Sequence, residues 1–239
     1  MFLCIDNQHR HLVSNNSIRY FASRFQYYNS CFRRKYQAIN GVMTPAYWSR
    51  VAVFSDGTKF YTTKNVRQNF SGHKKRYCLS MLETTGPDGL YLEIDVNPGR
   101  YNDDMQQNVS NLGHRIVACQ NAYGTDFESG VDKGMHRTVG VRPMHNHLQN
   151  TVQEDIENNG FSSCRVTNEH DIGRSKYQWK YFEFHKGIFL NNQPLAVFRR
   201  VSCILTNALT CCERNSTSKH YKCFPMTLEE YFALGNGQH

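Results

Sequence analysis

The stretch Ala46-Tyr47-Trp48-Ser49-Arg50-Val51-Ala52-Val53-Phe54-Ser55-Asp56-Gly57-Thr58-Lys59-Phe60-Tyr61-Thr62-Thr63-Lys64-Asn65 decides how the fold is read. Two runs rich in aromatic and β-branched residues flank Ser55-Asp56-Gly57. Asp-Gly is a preferred pair for a tight turn that needs positive φ, so the spacing predicts a β-hairpin. Neither arm carries a recognisable catalytic pattern.

Working outward from it, Ile18, Phe21, Phe25, Tyr28 and Phe32 recur at spacings of three and four between Ser14 and Lys35, the mark of an amphipathic helix with a narrow apolar seam. Ser14, Asn16 or Ser17 can serve as its N-cap, and Asn40-Gly41 followed by Pro45 stops any continuation. The seam docks either on its own domain or against another subunit. C-terminal to the hairpin, Pro87-Asp88-Gly89 is a turn, and Leu90, Leu92, Ile94 and Val96 alternate with polar residues as a half-buried strand. His114 to Cys119 and Tyr177 to Phe184 are further candidate strands. Ile188-Phe189-Leu190 and Leu195-Ala196-Val197-Phe198 bracket Asn191-Asn192-Gln193-Pro194 as a second hairpin. The polar segment from Gly124 to Gly140 carries no readable pattern. Thr227-Leu228-Glu229-Glu230 is a capping box that opens a short terminal helix, with Met226 placed to pack on Tyr231.

These elements predict a mainly β chain with flanking helices (α+β): a β-sandwich core, an N-terminal amphipathic helix and a short C-terminal helix. No linker composition interrupts the 239 residues, so a single domain is expected: a helical arm over 1–40, a β-rich core over 41–224, and a helix and tail over 225–239. No signal peptide or membrane span is read, and a soluble, intracellular chain is expected. Nine cysteines form no regular framework and suit reduced thiols.

The net charge of +8 invites a nucleic-acid reading. Its basic residues occur in small groups, Arg33-Arg34-Lys35 and Lys74-Lys75-Arg76, separated by acidic ones, which equally describes a solvated basic face. His145-Asn146-His147 is the best metal candidate, because alternate strand residues would project both imidazoles to one side. His136, His170 or His185 would supply a third ligand. Eleven histidines make one close pair unremarkable, and no metal is assigned. Cys211-Cys212 with His220 and Cys223 lacks a second Cys-x-x-Cys knuckle. No nucleophile elbow or phosphate-cradling loop of the Walker type occurs, and no catalytic residue is assigned.

Tyr47-Trp48 through Phe54-Ser55-Asp56-Gly57-Thr58 to Lys64-Asn65, preceded by Phe25-Gln26-Tyr27-Tyr28-Asn29-Ser30, Tyr36 and Asn40-Gly41, resembles the first hairpin and N-terminal helix of cypovirus polyhedrins. Tyr177 to Phe184 is similar to that family's late aromatic strand. The resemblance implies a non-enzymatic structural protein that assembles as homotrimers into crystals around virus particles. These would lie in occlusion bodies in the host cytoplasm, and Ile18, Phe21, Phe25, Tyr28 and Phe32 would contact neighbouring trimers. It implies no required cofactor, although some family members hold nucleotides; no nucleotide-binding residue is identified. Membranes and nucleic acid are not expected partners. Such crystals dissolve at alkaline pH, and ionising the 14 tyrosines and nine cysteines would reverse the chain's +8 charge. Tyr27, Tyr28, Tyr36, Tyr47, Tyr61, Tyr177 and Tyr181 are the candidate switch residues. Two alternatives stand beside this reading: a basic nucleic-acid-binding or capsid-like viral protein, and a metal-dependent nuclease using His145 and His147.

Overall fold

The computed structural model describes residues 15–63, 67–121, 126–179 and 195–233. Its centre is β1 (Val51–Tyr61), one unbroken strand with Asp56 and Gly57 in its middle. The turn expected at Ser55-Asp56-Gly57 therefore does not form. Both edges of β1 are occupied. On one side it pairs antiparallel with β3 (Arg76–Thr85), where Asp56 stands opposite Glu83 and Gly57 opposite Leu82. On the other it runs parallel to β5 (Glu128–Val131). Pairing of Ser55, Asp56 and Gly57 with β3 outweighs their local turn preference, and Val51 to Phe54, where β5 also pairs, are all buried, as in a central strand covered on both faces. Gly57 serves close approach here: a methyl at that position would overlap the Asp103 carboxylate.

From β3 the chain turns at Gly86-Pro87-Asp88-Gly89, where Gly89 adopts φ +79°. It returns antiparallel as β4 (Tyr91–Pro98). The short β2 (Phe70–Ser71) also pairs with β3, and β6 (Val141–Pro143) runs parallel to β5. β3, β1, β5 and β6 thus lie side by side, with β4 and β2 on β3. An antiparallel half passing into a parallel half makes a curled mixed sheet of RNase H-like type. The expected β-sandwich is corrected on this point: helices, and not a second sheet, cover the strands.

Helix α1 (Asn15–Asn40) lays Phe25, Tyr28, Phe32 and Tyr36 against Val51, Val53 and Phe54. The aromatic seam read from the sequence is core, at least from Phe25 onward. α2 (Asp103–Ser110) and α3 (Leu112–Asn121) follow β4. In α3, Leu112 and Ile116 lie four apart and pack with Leu82, Val131 and Val141. His114 to Cys119 is accordingly helix where a strand was expected, since burial at helical spacing overrides the β preference of Ile116-Val117. Arg115 from this helix pairs with Glu93 and Asp95 of β4.

α4 (Val152–Gln178) contains Tyr177 and Gln178, so the late aromatic strand does not start there; 180–184 lie outside the described residues. α5 (Leu195–Glu213) begins with Leu195 to Phe198, which the sequence pattern placed in a hairpin strand; its partner arm at 188–190 and the turn at 191–194 also lie outside the described residues. By length and composition α5 is apolar enough to cross a membrane, a feature the sequence pattern did not bring out. Its buried face nevertheless carries Arg199, Ser202, Thr206 and Asn207. α6 (Ser216–Tyr221) and α7 (Leu228–Ala233) complete the described chain. The capping box before α7 is formed: Thr227 N–H donates to Glu230 at 2.8 Å and Glu230 N–H donates to Thr227 Oγ1 at 3.2 Å. Met226 and Tyr231 share a cluster with Leu90. Among the described residues, the stretch 41–224 holds more helix than strand.

Candidate active site

Three elements bring carboxylates to one guanidinium. Asp56 comes from the middle of β1, and Asp132 follows directly on β5, the parallel neighbour of β1. Glu169 comes from α4, one turn beyond Arg165. Arg165 Nη1 lies 3.5 Å from Asp56 Oδ1, and its Nη2 lies 3.9 Å from Asp132 Oδ1 and 2.5 Å from Glu169 Oε1. The Arg165 side chain is only 10% exposed, whereas Asp132 and Glu169 reach solvent.

Local sequence explains how α4 is held at this place. Thr151 caps it, its hydroxyl accepting from Glu154 N–H while Glu154 accepts from Thr151 N–H, and Glu154 and Asp155 place negative charge in the first turn. Phe161 of α4 stacks on Trp48 with ring centroids 4.0 Å apart. It also fills the space that a side chain at Gly130 of β5 would take. That close approach sets α4 against the β1–β5 seam where Asp56 and Asp132 emerge.

Burial pushes the Asp56 carboxyl up to about 6; Arg165 counters the shift, and Glu169 and Asp103 reinforce it. Asp103 is the first residue of α2, behind an N-cap in which Asn102 Oδ1 accepts from Met105 N–H. The nearby Lys176 ammonium is pushed down by burial and donates to Thr58 Oγ1 of β1. Three carboxylates around one cation leave negative charge over, and all the donors are hard oxygens. Arg165 Nε and Nη1 are buried without a hydrogen-bond partner among the described residues. This donor set fits a magnesium-class divalent cation better than a soft-ligand metal.

His145 and His147 lie in irregular chain after β6 and not on a strand. Their rings are 6.4 Å apart, His145 buried and His147 exposed. The group that joins them is Glu154, with one donor atom from each of the three residues within 4.8 Å of the others. Of the expected third ligands, neither His136 nor His170, the two among the described residues, takes that place. His136 faces Asp104 at 3.1 Å, His170 is exposed on α4, and His185 lies outside the described residues. Cys211, Cys212 and Cys223 are free thiols and join no such cluster among the described residues, and the carboxylates around Arg165 are spread more widely than the donors of His145, His147 and Glu154.

Of the seam residues, Phe25, Tyr28 and Phe32 are buried, and Ile18 and Phe21 lie earlier on α1. Of the proposed alkaline-switch tyrosines, Tyr28 donates to Asp88 Oδ2 at 2.6 Å and Tyr47 donates to Pro143 O at 2.8 Å. Burial raises the Tyr27, Tyr28 and Tyr47 phenols and takes Tyr36 to about 12, which opposes ionisation. Tyr61 and Tyr177 are exposed, and Tyr181 lies outside the described residues.

Sequence reasoning missed Asp56, Asp132, Arg165 and Glu169 as a set. Two signals were present: an Asp inside an aromatic and β-branched run, where Asp is depleted, and an Arg–Glu pair four apart in a capped helix. Nothing local marks Asp132. Residues 55–207 match the family model described as DDE superfamily endonuclease, a span containing all four of these residues. No curated protein and no solved structure matches the chain.

Proposed function

The chain belongs to the DDE superfamily endonuclease family, and on that premise we propose that it cleaves DNA phosphodiester bonds with divalent cations held by Asp56, Asp132 and Glu169. The observation carrying this assignment is that these two aspartates and one glutamate, in that chain order, converge from separate elements on Arg165.

Membership overturns the resemblance to cypovirus polyhedrins drawn from the N-terminal third. With it go the crystal-forming structural role, the non-enzymatic reading, and the homotrimer and virus particles as partners. A transposase-derived nuclease domain acts on nucleic acid, which replaces the expectation that nucleic acid is not a partner. A requirement for divalent metal such as Mg²⁺ replaces the expectation that no cofactor is needed. The resemblance rested on a turn that is in fact the middle of β1.

A bound cation would supply Lewis acidity and an activated water at the scissile phosphate. The chain's own residues do the positioning. Asp56 is held in the ladder opposite Glu83 of β3, two residues beyond the last β1–β5 pair at Phe54, so its carboxylate is presented from a paired backbone. Asp132 sits where the parallel neighbour ends, with its Oδ1 3.9 Å from Arg165 Nη2. Arg165 neutralises part of the mutual repulsion and keeps Glu169 on the same side. Lys133 and Arg137, both exposed in the β5–β6 connection beside Asp132, attract a phosphate backbone to this edge.

Nicking of supercoiled plasmid in Mg²⁺ or Mn²⁺ tests the proposal. Activity should vanish with EDTA, and Asp132→Asn or Glu169→Gln should slow it at least about a hundredfold without changing the thermal midpoint by more than a few degrees. Undiminished nicking by Asp132→Asn would overturn the residue assignment. Nicking that survives chelation would overturn the metal-dependent reading itself.

A further inference from the structure

We propose that His145, His147 and Glu154 form a second metal site, for one zinc-class ion, separate from the three carboxylates around Arg165. His145 Nδ1 lies 3.7 Å, and His147 Nε2 lies 3.4 Å, from the same oxygen, Glu154 Oε1. The other oxygen of that carboxylate is already taken: Glu154 Oε2 accepts from Thr151 N–H at 2.8 Å and from the Thr151 hydroxyl at 3.1 Å. The helix cap thus holds Glu154 so that its remaining oxygen faces both imidazoles.

His145 is prepared on its other side as well. Its Nε2 lies 3.2 Å from Glu157 Oε2, one turn further along α4. An ionised carboxylate only accepts, so Glu157 suits a proton on Nε2, the tautomer that leaves a neutral imidazole's Nδ1 for a metal. Nδ1 lies 3.7 Å from Glu154 Oε1, and a cation between them would be held by both. A carboxylate behind a ligating histidine is the usual outer partner that fixes tautomer and ring direction.

The backbone and ring are fixed too. Asn158 Oδ1 accepts from His145 N–H at 2.9 Å, and Asn158 Nδ2 donates to His145 O at 2.9 Å. Tyr47 lies over the imidazole with ring centroids 3.8 Å apart. Two imidazoles and one carboxylate are the borderline donors that suit zinc, with a fourth position open to water. His145 and His147 line a cavity of about 440 Å³ together with Asp132, Asp155 and Asn158. Donors around one zinc at bonds of about 2 Å lie about 3.3 Å apart, so both imidazole nitrogens are already within a few tenths of an ångström of that spacing from Glu154 Oε1. Binding would tie the connection after β6 to the first turn of α4, the helix that carries Arg165 and Glu169.

The test is a cobalt(II) titration of the chelator-stripped full chain, followed by visible d–d absorption and zinc competition. One cobalt per chain with tetrahedral absorption, displaced by zinc, is expected. His147→Ala, at a solvent-exposed position, should abolish the absorption while leaving the far-UV spectrum unchanged. Glu157→Gln should weaken binding about 10- to 100-fold. The double variant Asp56→Asn/Glu169→Gln should keep the cobalt signal intact. Absence of the band, or a band indifferent to His147→Ala, overturns the site. A band lost in the Asp56→Asn/Glu169→Gln variant and kept in His147→Ala places the ion at the carboxylates; the second site then falls while the nuclease reading stands.

Discussion

At the residue scale, the same chemistry that builds the site also tunes isolated groups. Burial, with Lys35 nearby, pushes the His220 imidazole down to about 4. Its unfolded value is about 6.5, so the folded state resists protonation. The stability this group contributes is therefore complete above about pH 6.5 and is lost as pH falls from there toward 4. Asp171, whose carboxyl burial raises to about 6, acts in the opposite sense: it favours the folded state at low pH and withdraws that contribution as pH rises through 6. Comparing urea midpoints at pH 7 and pH 4.5 should show a smaller acid loss for His220→Gln than for the parent chain. An equal loss in both would mean that His220 is not held neutral.

At the element scale, a buried ion pair joins α5 to the sheet, beside the two bonds that Asn207 makes with the Tyr91 backbone. Arg199 Nε and Nη2 donate to Glu83 Oε1 and Oε2, each at 2.8 Å, and both side chains are fully buried. Removing one partner strands the other charge in the core, which costs about 3–5 kcal/mol. Glu83→Gln should lower the unfolding free energy by about that amount, whereas Glu83→Leu/Arg199→Met should recover most of it. A double variant as unstable as the single one would show that packing around the pair, and not the uncompensated charge, sets the loss. This pair explains why Leu195 to Phe198 became helix. The apolar run at its start is equally good strand, and what selects helix is the seven-residue face from Leu195 through Arg199 and Ser202 to Thr210 that must meet β3 and β4. Helix α3 carries the same lesson, since Ile116-Val117 favours strand until Leu112 and Ile116 are buried together.

At the scale of the whole molecule, the +8 charge that equally described a solvated face acquires a ligand. Affinity for duplex DNA should fall linearly in log–log terms with salt, at about −0.9 for every phosphate neutralised. Lys133→Ala and Arg137→Ala, beside Asp132, should each reduce the slope by about one. Binding that ignores salt would contradict a backbone-tracking basic edge.

The elements with self-contained signals were legible in the order of residues: the aromatic seam of α1, the alternation that becomes β4, the turn at Gly89 and the capping box of α7. Each depends on residues three or four apart, or on strict alternation, so the chain states them locally. The candidate site was not legible, apart from the closeness of His145 and His147. Asp56 carries a local preference for a turn, and only pairing with β3 makes it mid-strand. Asp132 and Glu169 come from distant parts of the chain, and no spacing rule joins them to Asp56. The sequence alone determined which short segments could form helices, turns and caps, and how much positive charge the molecule carries. The tertiary structure alone decided that three carboxylates meet at Arg165, because that meeting depends on sheet order and on how closely Phe161 lets α4 approach Gly130.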